Sequence, residues 1–293
     1  MPSSSMRVWW WTAATPRARS RRIATRSCDS ENGDMSKSSL SPFLTVLLIF
    51  LAPQLAVPAD GPASAHFKVG ERLTYSLRWG VIAAGTAVLE VAERQMLAGR
   101  PVVKLVHTAR SNEFISTFYP VNNRVESLLD EESGYPHHLL FERREGRRKN
   151  DIEVVFDQAA HRAMVTKDGS TETMEVPPRV QDTLSVLYFC RTLPSLAVGS
   201  STIIYVNHDK KNYRLELKIE GAERIKGPLG EFDTIRILAI MPFKGLFLNE
   251  GNIRVWVTND AARIPVLMKS KVLIGSVSAM LTRVEGVTLT ASP

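Results

Sequence analysis

From Phe67 onward, apolar and polar residues alternate with a period of two. Leu73, Tyr75, Leu77 and Trp79 share one face of a segment whose other face is Arg72, Thr74, Ser76 and Arg78. Successive side chains of a strand point to opposite sides, so this alternation predicts a half-buried β-strand. The same pattern predicts strands over Thr86–Glu93, Val102–Ser111, Arg124–Asp130, His138–Glu145, Arg148–Asp157 and Ala163–Lys167. It continues over Thr202–Val206, Tyr213–Glu220, Glu231–Ile240, Ile253–Val257, Val266–Val272 and Ser276–Glu285. Turn-forming pairs separate them: Gly99 and Pro101, Glu145 and Gly146, Asp168 and Gly169, Gly227 and Pro228, and Gly275. So many strands at short spacing predict a mainly β fold, a large curved antiparallel sheet or open barrel.

One segment departs from the alternation. Past the extended Val176, Pro177 and Pro178, Asp182 stands as an N-cap before Thr183–Thr192, and Pro194 follows where a helix would end. Leu184, Val186, Leu187, Tyr188, Phe189 and Leu193 leave that helix apolar on nearly all sides. It is expected to pack into the mouth or concave face of the sheet. With no internal repeat and no low-complexity linker, a single β-rich domain is expected over residues 66–287, with a frayed tail at 288–293.

The first sixty residues read as an address. From Met35, a short polar stretch with Lys37 precedes the apolar run Phe43–Ala52 and then small residues. Ten residues are too few to cross a hydrocarbon core of roughly 30 Å as a helix, so 35–59 is expected to be a secretory signal cleaved after Ala59 or Ala65. No cysteine stands close behind the apolar run, so an acceptor for lipoprotein acylation is not expected at this end. Residues 1–34 have the Ser- and Arg-rich look of a non-native or untranslated leader, making Met35 the expected start. Two alternatives are a twin-arginine signal at Ser20, Arg21 and Arg22, and an uncleaved 43–57 anchor. The leading expectation is a periplasmic protein.

Charge then changes its meaning. The formal net charge is +7, but residues 1–34 contribute +3 and Lys37 one more, leaving +3 from Asp60 onward. Nucleic-acid binding loses its main support. Cys28 falls in the leader, so Cys190 is the lone thiol of the mature chain and no internal disulfide is expected.

Little chemistry is written in motifs. The six histidines are scattered, and His137 and His138 would point to opposite faces of a strand, so no metal site is expected. No G-x-S-x-G elbow occurs, and Ser185 reads as the partner of an Asp182 cap. Glycines are dispersed among turns, which argues against a nucleotide site, and no cofactor is expected. Glu71, Asp130 and Asp260 are carboxylates without an evident pairing. Arg143, Arg144, Arg147, Arg148 and Lys149 form a basic hairpin tip, read as a surface patch that either blunts a sheet edge or meets anionic lipid. Ile240–Asn249, apolar but interrupted by Pro242 and Gly245, is read as closing the core or overhanging a cavity.

Three groups of residues together carry a resemblance. Phe67, Gly70, Glu71, Leu73 and Tyr75 with Trp79, Gly80, Ala84 and Gly85 form the first, and Asp182, Leu184 and Ser185 the second. The third is Gly251, Ile253, Val255, Trp256, Thr258, Asp260, Arg263, Ile264, Pro265 and Val266, with Gly275 and Ser276. In this order and spacing they resemble a family of exported Gram-negative proteins that is formally a domain of unknown function. The resemblance implies an envelope location and a β-rich fold, and no catalytic residues. The expected architecture is also similar to the open barrels of periplasmic lipoprotein carriers.

Three functions are compatible with these features. The first is non-enzymatic binding of a hydrophobic or amphipathic envelope component, a lipid or lipopolysaccharide-like ligand, in a cleft lined by Leu184, Leu187, Tyr188, Phe243, Leu246 and Phe247. The second is an envelope scaffold that docks another protein through a sheet edge or the basic hairpin. The third is a cell-wall or glycan hydrolase using carboxylates the sequence does not identify.

Overall fold

The computed structural model describes residues 66–240, 252–271 and 275–291. Fourteen strands form one antiparallel sheet: β1 (Arg72–Trp79), β2 (Ile82–Leu97), β3 (Arg100–Ser111), β4 (Asn122–Asp130), β5 (Pro136–Glu145), β6 (Arg148–Asp157) and β7 (Arg162–Lys167) lead to β8 (Ser170–Glu175). The second arm is β9 (Ser201–His208), β10 (Lys211–Gly227), β11 (Gly230–Ile240), β12 (Ile253–Thr258), β13 (Pro265–Lys271) and β14 (Ser276–Glu285). A four-residue helix, α1 (Glu113–Ser116), follows β3, and α2 (Ser185–Thr192) lies between β8 and β9.

Each strand pairs with its sequence neighbours except at one place. The spatial order runs β8 down to β1, then β14 down to β9, so the terminal strands are β8 and β9, and β9 takes one short parallel bridge from Gln181, whose amide donates to the Tyr205 carbonyl and whose carbonyl accepts from Asn207 N, both at 2.8 Å. First and last strands are paired instead, with Leu73 opposite Val284 and Leu77 opposite Ala279. Register shifts in β1, β2, β10 and β12 add local bends, which curl a sheet of this width. The curl brings β8 near β9 without a backbone ladder between them. The seam is crossed by side chains: Lys167 Nζ reaches Asp209 Oδ1 at 2.6 Å, Asn212 Nδ2 donates to the carbonyl of Glu175 at 2.8 Å, and Lys210 pairs with Glu172.

The pairing of β1 with β14 needs Gly286. Its φ is +73°, and a Cβ there would sit 2.0 Å from the carbonyl oxygen of Gly70. Only a residue without a side chain lets the chain end pass so close to the start of β1.

Two of these elements are absent from the alternation. β8 is polar except for Met174, which is half-buried against the core, and is otherwise exposed, so it has no run of buried positions to alternate with. A short, polar, charged strand is how an open sheet blunts its edge. The helix α1 is held by its cap, since Asn112 Oδ1 accepts from Ile115 N at 2.9 Å, and it buries only Ile115.

The core consists of two clusters, and at β12 and β13 it reaches both faces of the sheet, since Val255, Trp256 and Val257 are all buried. One joins the inner faces of β1–β7 to β12–β14, and the other is built from β9–β12. α2 belongs to both, with Leu184 and Tyr188 in the first and Val186, Cys190 and Leu193 in the second. Its all-round apolarity is therefore used: the helix fills the space between the two arms of the sheet. The N-terminal turn is tied by reciprocal bonds, because Asp182 Oδ1 accepts from Leu184 N and Ser185 N, both at 2.7 Å, while Ser185 Oγ accepts from Asp182 N at 2.8 Å. Asp182 thus caps the helix start, which falls at Ser185 and so later than Thr183.

Candidate functional site

Packing of α2 against the concave face leaves an interior cavity of about 50 Å³. Leu184, Leu187 and Thr183 form its helical wall. The sheet contributes from both arms: Tyr75, Leu89 and Phe141 on one side, Met268 and Ala279 on the other. Its polar groups are few and belong mainly to His107, Asn123 and Thr183.

His107 is the unusual member. It is deeply enclosed, and burial lowers its pKa from 6.5 to about 4, so the ring is neutral. It nonetheless keeps accessible surface, its ring has no side-chain hydrogen bond among the described residues, and it lines the cavity. Tyr75, also on the wall, donates to the carbonyl of Pro265 at 2.9 Å, and burial pushes its pKa up. Asp182, beneath the helix start, accepts from Ser127 Oγ at 2.5 Å, and burial likewise raises its pKa.

Beyond Phe141 and Asn123 the interior becomes polar. Arg143 is on the same face of β5 as Leu139 and Phe141, its guanidinium carbon 4.8 Å from the Phe141 ring centre. It is 2% exposed, so the reading of a five-residue surface patch does not hold for Arg143. The reason is strand parity, which sends Arg143 inward and Arg144 outward. Arg144 pairs with Asp151 at 2.6 Å, while Arg147 and Lys149 are exposed. Around Arg143 stand Asp209, whose Oδ2 is 4.0 Å from Nη1, Lys167 on Asp209, and Glu145, which accepts from Asn123 Nδ2 at 2.5 Å. His208 is close by, its pKa lowered to about 4 by burial and then by the Arg143 charge.

Leu184 and Leu187, expected on a cleft wall, thus line the cavity. Tyr188 is turned away from it, packing edge-on against Phe67 at 5.1 Å. Phe243, Leu246 and Phe247 lie outside the described residues. His107 and His208 are absent from the residues the sequence singles out for a site, and Arg143 is among them only as part of the surface patch. The inward parity of His107 and Arg143 was available in their strands, but polar residues at inward positions were read as scatter or as a charged tip.

The three singled-out carboxylates are each engaged by neighbouring groups. Glu71 binds Arg191. Asp130 is fully buried and accepts from Arg100 Nε at 2.5 Å, Ser133 N at 2.8 Å and His137 Nε2 at 3.1 Å. Burial acts to raise its pKa, but these donors outweigh it and hold the carboxyl well below the usual range. Asp260 accepts from Thr258 Oγ1 and from the amides of Ala262 and Arg263, closing the turn before β13. Arg263 turns from Asp260 to the end of α2, donating to the carbonyls of Arg191 and Leu193. His137 and His138 bond to Asp130 and Glu153 respectively, on opposite sides of β5.

A larger hollow of about 570 Å³ lies on the outer face of β5–β7, beside Leu140, Arg144, Lys149 and Thr166. It is open, and part of its charge is already paired, Arg144 with Asp151 and Glu153 with His138. The interior cavity is the better candidate because it is less open and its lining is mostly apolar.

A family model described as a protein of unknown function (DUF3108) matches residues 74–282. The chain belongs to that family. The resemblance carried by the Glu71, Asp182 and Asp260 segments is therefore confirmed at family level. No curated protein matches the sequence. Among solved structures, a β-barrel-like protein of the DUF1849 domain from Brucella abortus has a TM-score of 0.52 at 10% identity, covering 74% of this chain and 97% of its own. This likeness shows the fold: a β-barrel-like, unclosed sheet. A protein with a YmcC-like fold from Bacteroides fragilis gives a TM-score of 0.34 at 12% identity, covering 74% and 96%. Lipoprotein LppX of Mycobacterium tuberculosis gives 0.22 at 11%, covering 74% and 88%.

Proposed function

We propose that this DUF3108 protein is exported to the periplasm and binds the apolar portion of an amphipathic envelope molecule inside its open barrel. The observation that carries the reading is the largely apolar cavity between α2 and both arms of the sheet. The cavity is lined by apolar side chains from the helix and both arms around few polar groups, the lining that suits an acyl chain. At about 50 Å³ it holds one or two waters, so a chain of several methylenes requires the wall to repack. Leu187 and Met268 suit that role: both are only partly buried, and a thioether side chain adapts its shape at little cost. The seam between β8 and β9 lacks a full backbone ladder, being held by side-chain contacts and the short bridge of Gln181 to β9, so widening there breaks the fewest backbone bonds. Export rests on the apolar run after Met35 and the small residues that follow it.

The test is titration of the purified chain with a fluorescent fatty-acid probe, together with native mass spectrometry of protein taken from the periplasm. Saturable binding of one probe per chain is expected. Absence of both probe binding and co-purified lipid would reject the reading.

A further inference from the structure

At the polar end of the interior, Arg143 keeps a whole edge of its guanidinium unused. Its Nη1 faces Asp209 at 4.0 Å, and its Nε and Nη2 are buried with no hydrogen-bond partner. Nε and Nη2 carry the parallel N–H bonds of one side of the fork, the edge that takes a carboxylate or phosphate through two hydrogen bonds. A buried donor without an acceptor costs about 1–3 kcal/mol, more when charged, so two on one buried cation call for an explanation.

Nearby groups do not meet the need. Asp209 is drawn to Lys167 at 2.6 Å, and Glu145 to Asn123 at 2.5 Å. The charged groups acting on Arg143 are Asp209 and Glu145 on one side and Arg148 on the other, and Lys167 acts on Asp209. Lys167 is already matched to Asp209, neither carboxylate closes the Nε–Nη2 edge of Arg143, and His208 beside it is neutral. Position gives this charge its meaning. Phe141, under the guanidinium, and Asn123, which holds Glu145, both line the apolar cavity. Apolar wall and unused cation are contiguous along β5.

We propose that the free edge of Arg143 binds the oxyanion head, carboxylate or phosphate, of an amphiphile whose chain occupies the adjoining cavity. This rests on the reading of the cavity given above and assigns its ligand class. Lys167 and Asp209 act as positioning residues that keep Nη1 engaged and turn the other edge toward the ligand.

The test compares binding of a twelve-carbon carboxylate, its alkyl phosphate, and the uncharged alcohol of the same length to the full chain. The expected result is a preference of about tenfold or more for the anions, and Arg143→Met abolishing that preference while leaving alcohol binding unchanged. Lys167→Gln should reduce the preference only in part. Circular dichroism and melting of Arg143→Met check its fold; if it does not fold, Arg143→Lys replaces it, keeping the charge and losing the two-pronged edge, with the same direction of change expected. Equal affinity of the wild type for all three amphiphiles would overturn the proposal and leave the cavity reading standing. Failure of all three to bind would reject both. Acetate or inorganic phosphate binding as tightly as the long-chain anions would show a free-anion site and overturn the assignment to an amphiphile.

Discussion

The guanidinium of Arg191 and the carboxylate of Glu71, 120 positions apart, meet through two hydrogen bonds of 2.5 and 2.9 Å. Both side chains are 1% exposed. Arg191 also donates to the carbonyls of Ala262 and His66. One buried cation on α2 therefore ties together the segment before β1, the turn before β13 and the helix itself.

Removing one partner leaves a buried charge uncompensated, which costs about 3–5 kcal/mol. Glu71→Gln and Arg191→Met are each expected to lower unfolding free energy by that order, measured by urea denaturation. The double variant should recover much of the loss. A single substitution costing under about 1 kcal/mol would show that the pair contributes little.

Stability should fall in acid through His107. Its folded pKa of about 4 lies below the ordinary 6.5, so the unfolded chain takes up a proton first. The contribution is complete above pH 6.5 and is lost as pH falls from 6.5 toward 4. His107→Leu removes it, and the wild type should lose about 2–3 kcal/mol more than the variant between pH 7.5 and 4.5. Denaturant midpoints at the two pH values decide, and parallel losses would refute the assignment.

Cys190 is buried on α2, and burial pushes its thiol pKa up to about 12. In the full chain carrying Cys28→Ser, the thiol is expected to resist a disulfide-exchange reagent at pH 8 and to react once denaturant is added. Prompt labelling in buffer would mean that α2 leaves the barrel readily.

Ala279 lies on the cavity wall and is 1% exposed. Ala279→Val places added methyl groups in that space on a strand that favours branched residues. Fatty-acid probe affinity should drop about tenfold with the melting temperature unchanged or raised. An unaltered affinity would place the probe elsewhere.

Gly286→Ala pushes a Cβ into the backbone of Gly70 at a residue with φ of +73°. A loss above about 2 kcal/mol is expected from the forced separation of chain and strand. A melting curve matching the wild type would disprove this account of the closure.

Sequence alone was enough for the secondary structure wherever a strand has one buried face, because the period of two records burial directly. Leu73, Tyr75 and Leu77 announce β1 in that way, and the apolar ring around Leu184–Leu193 announces a buried helix. β8 was not legible, since an edge strand without a run of buried positions leaves no alternation to read. Arg143 was misread for a related reason: charge argued for the surface, whereas strand parity, set by its neighbours Leu139 and Phe141, sends it inward. The pairing of β1 with β14, the seam between β8 and β9, and the contact of Glu71 with Arg191 depend on residues far apart in the chain. No local pattern encodes them, and only the way the curled sheet closes on α2 decides which inward-facing groups meet in one cavity.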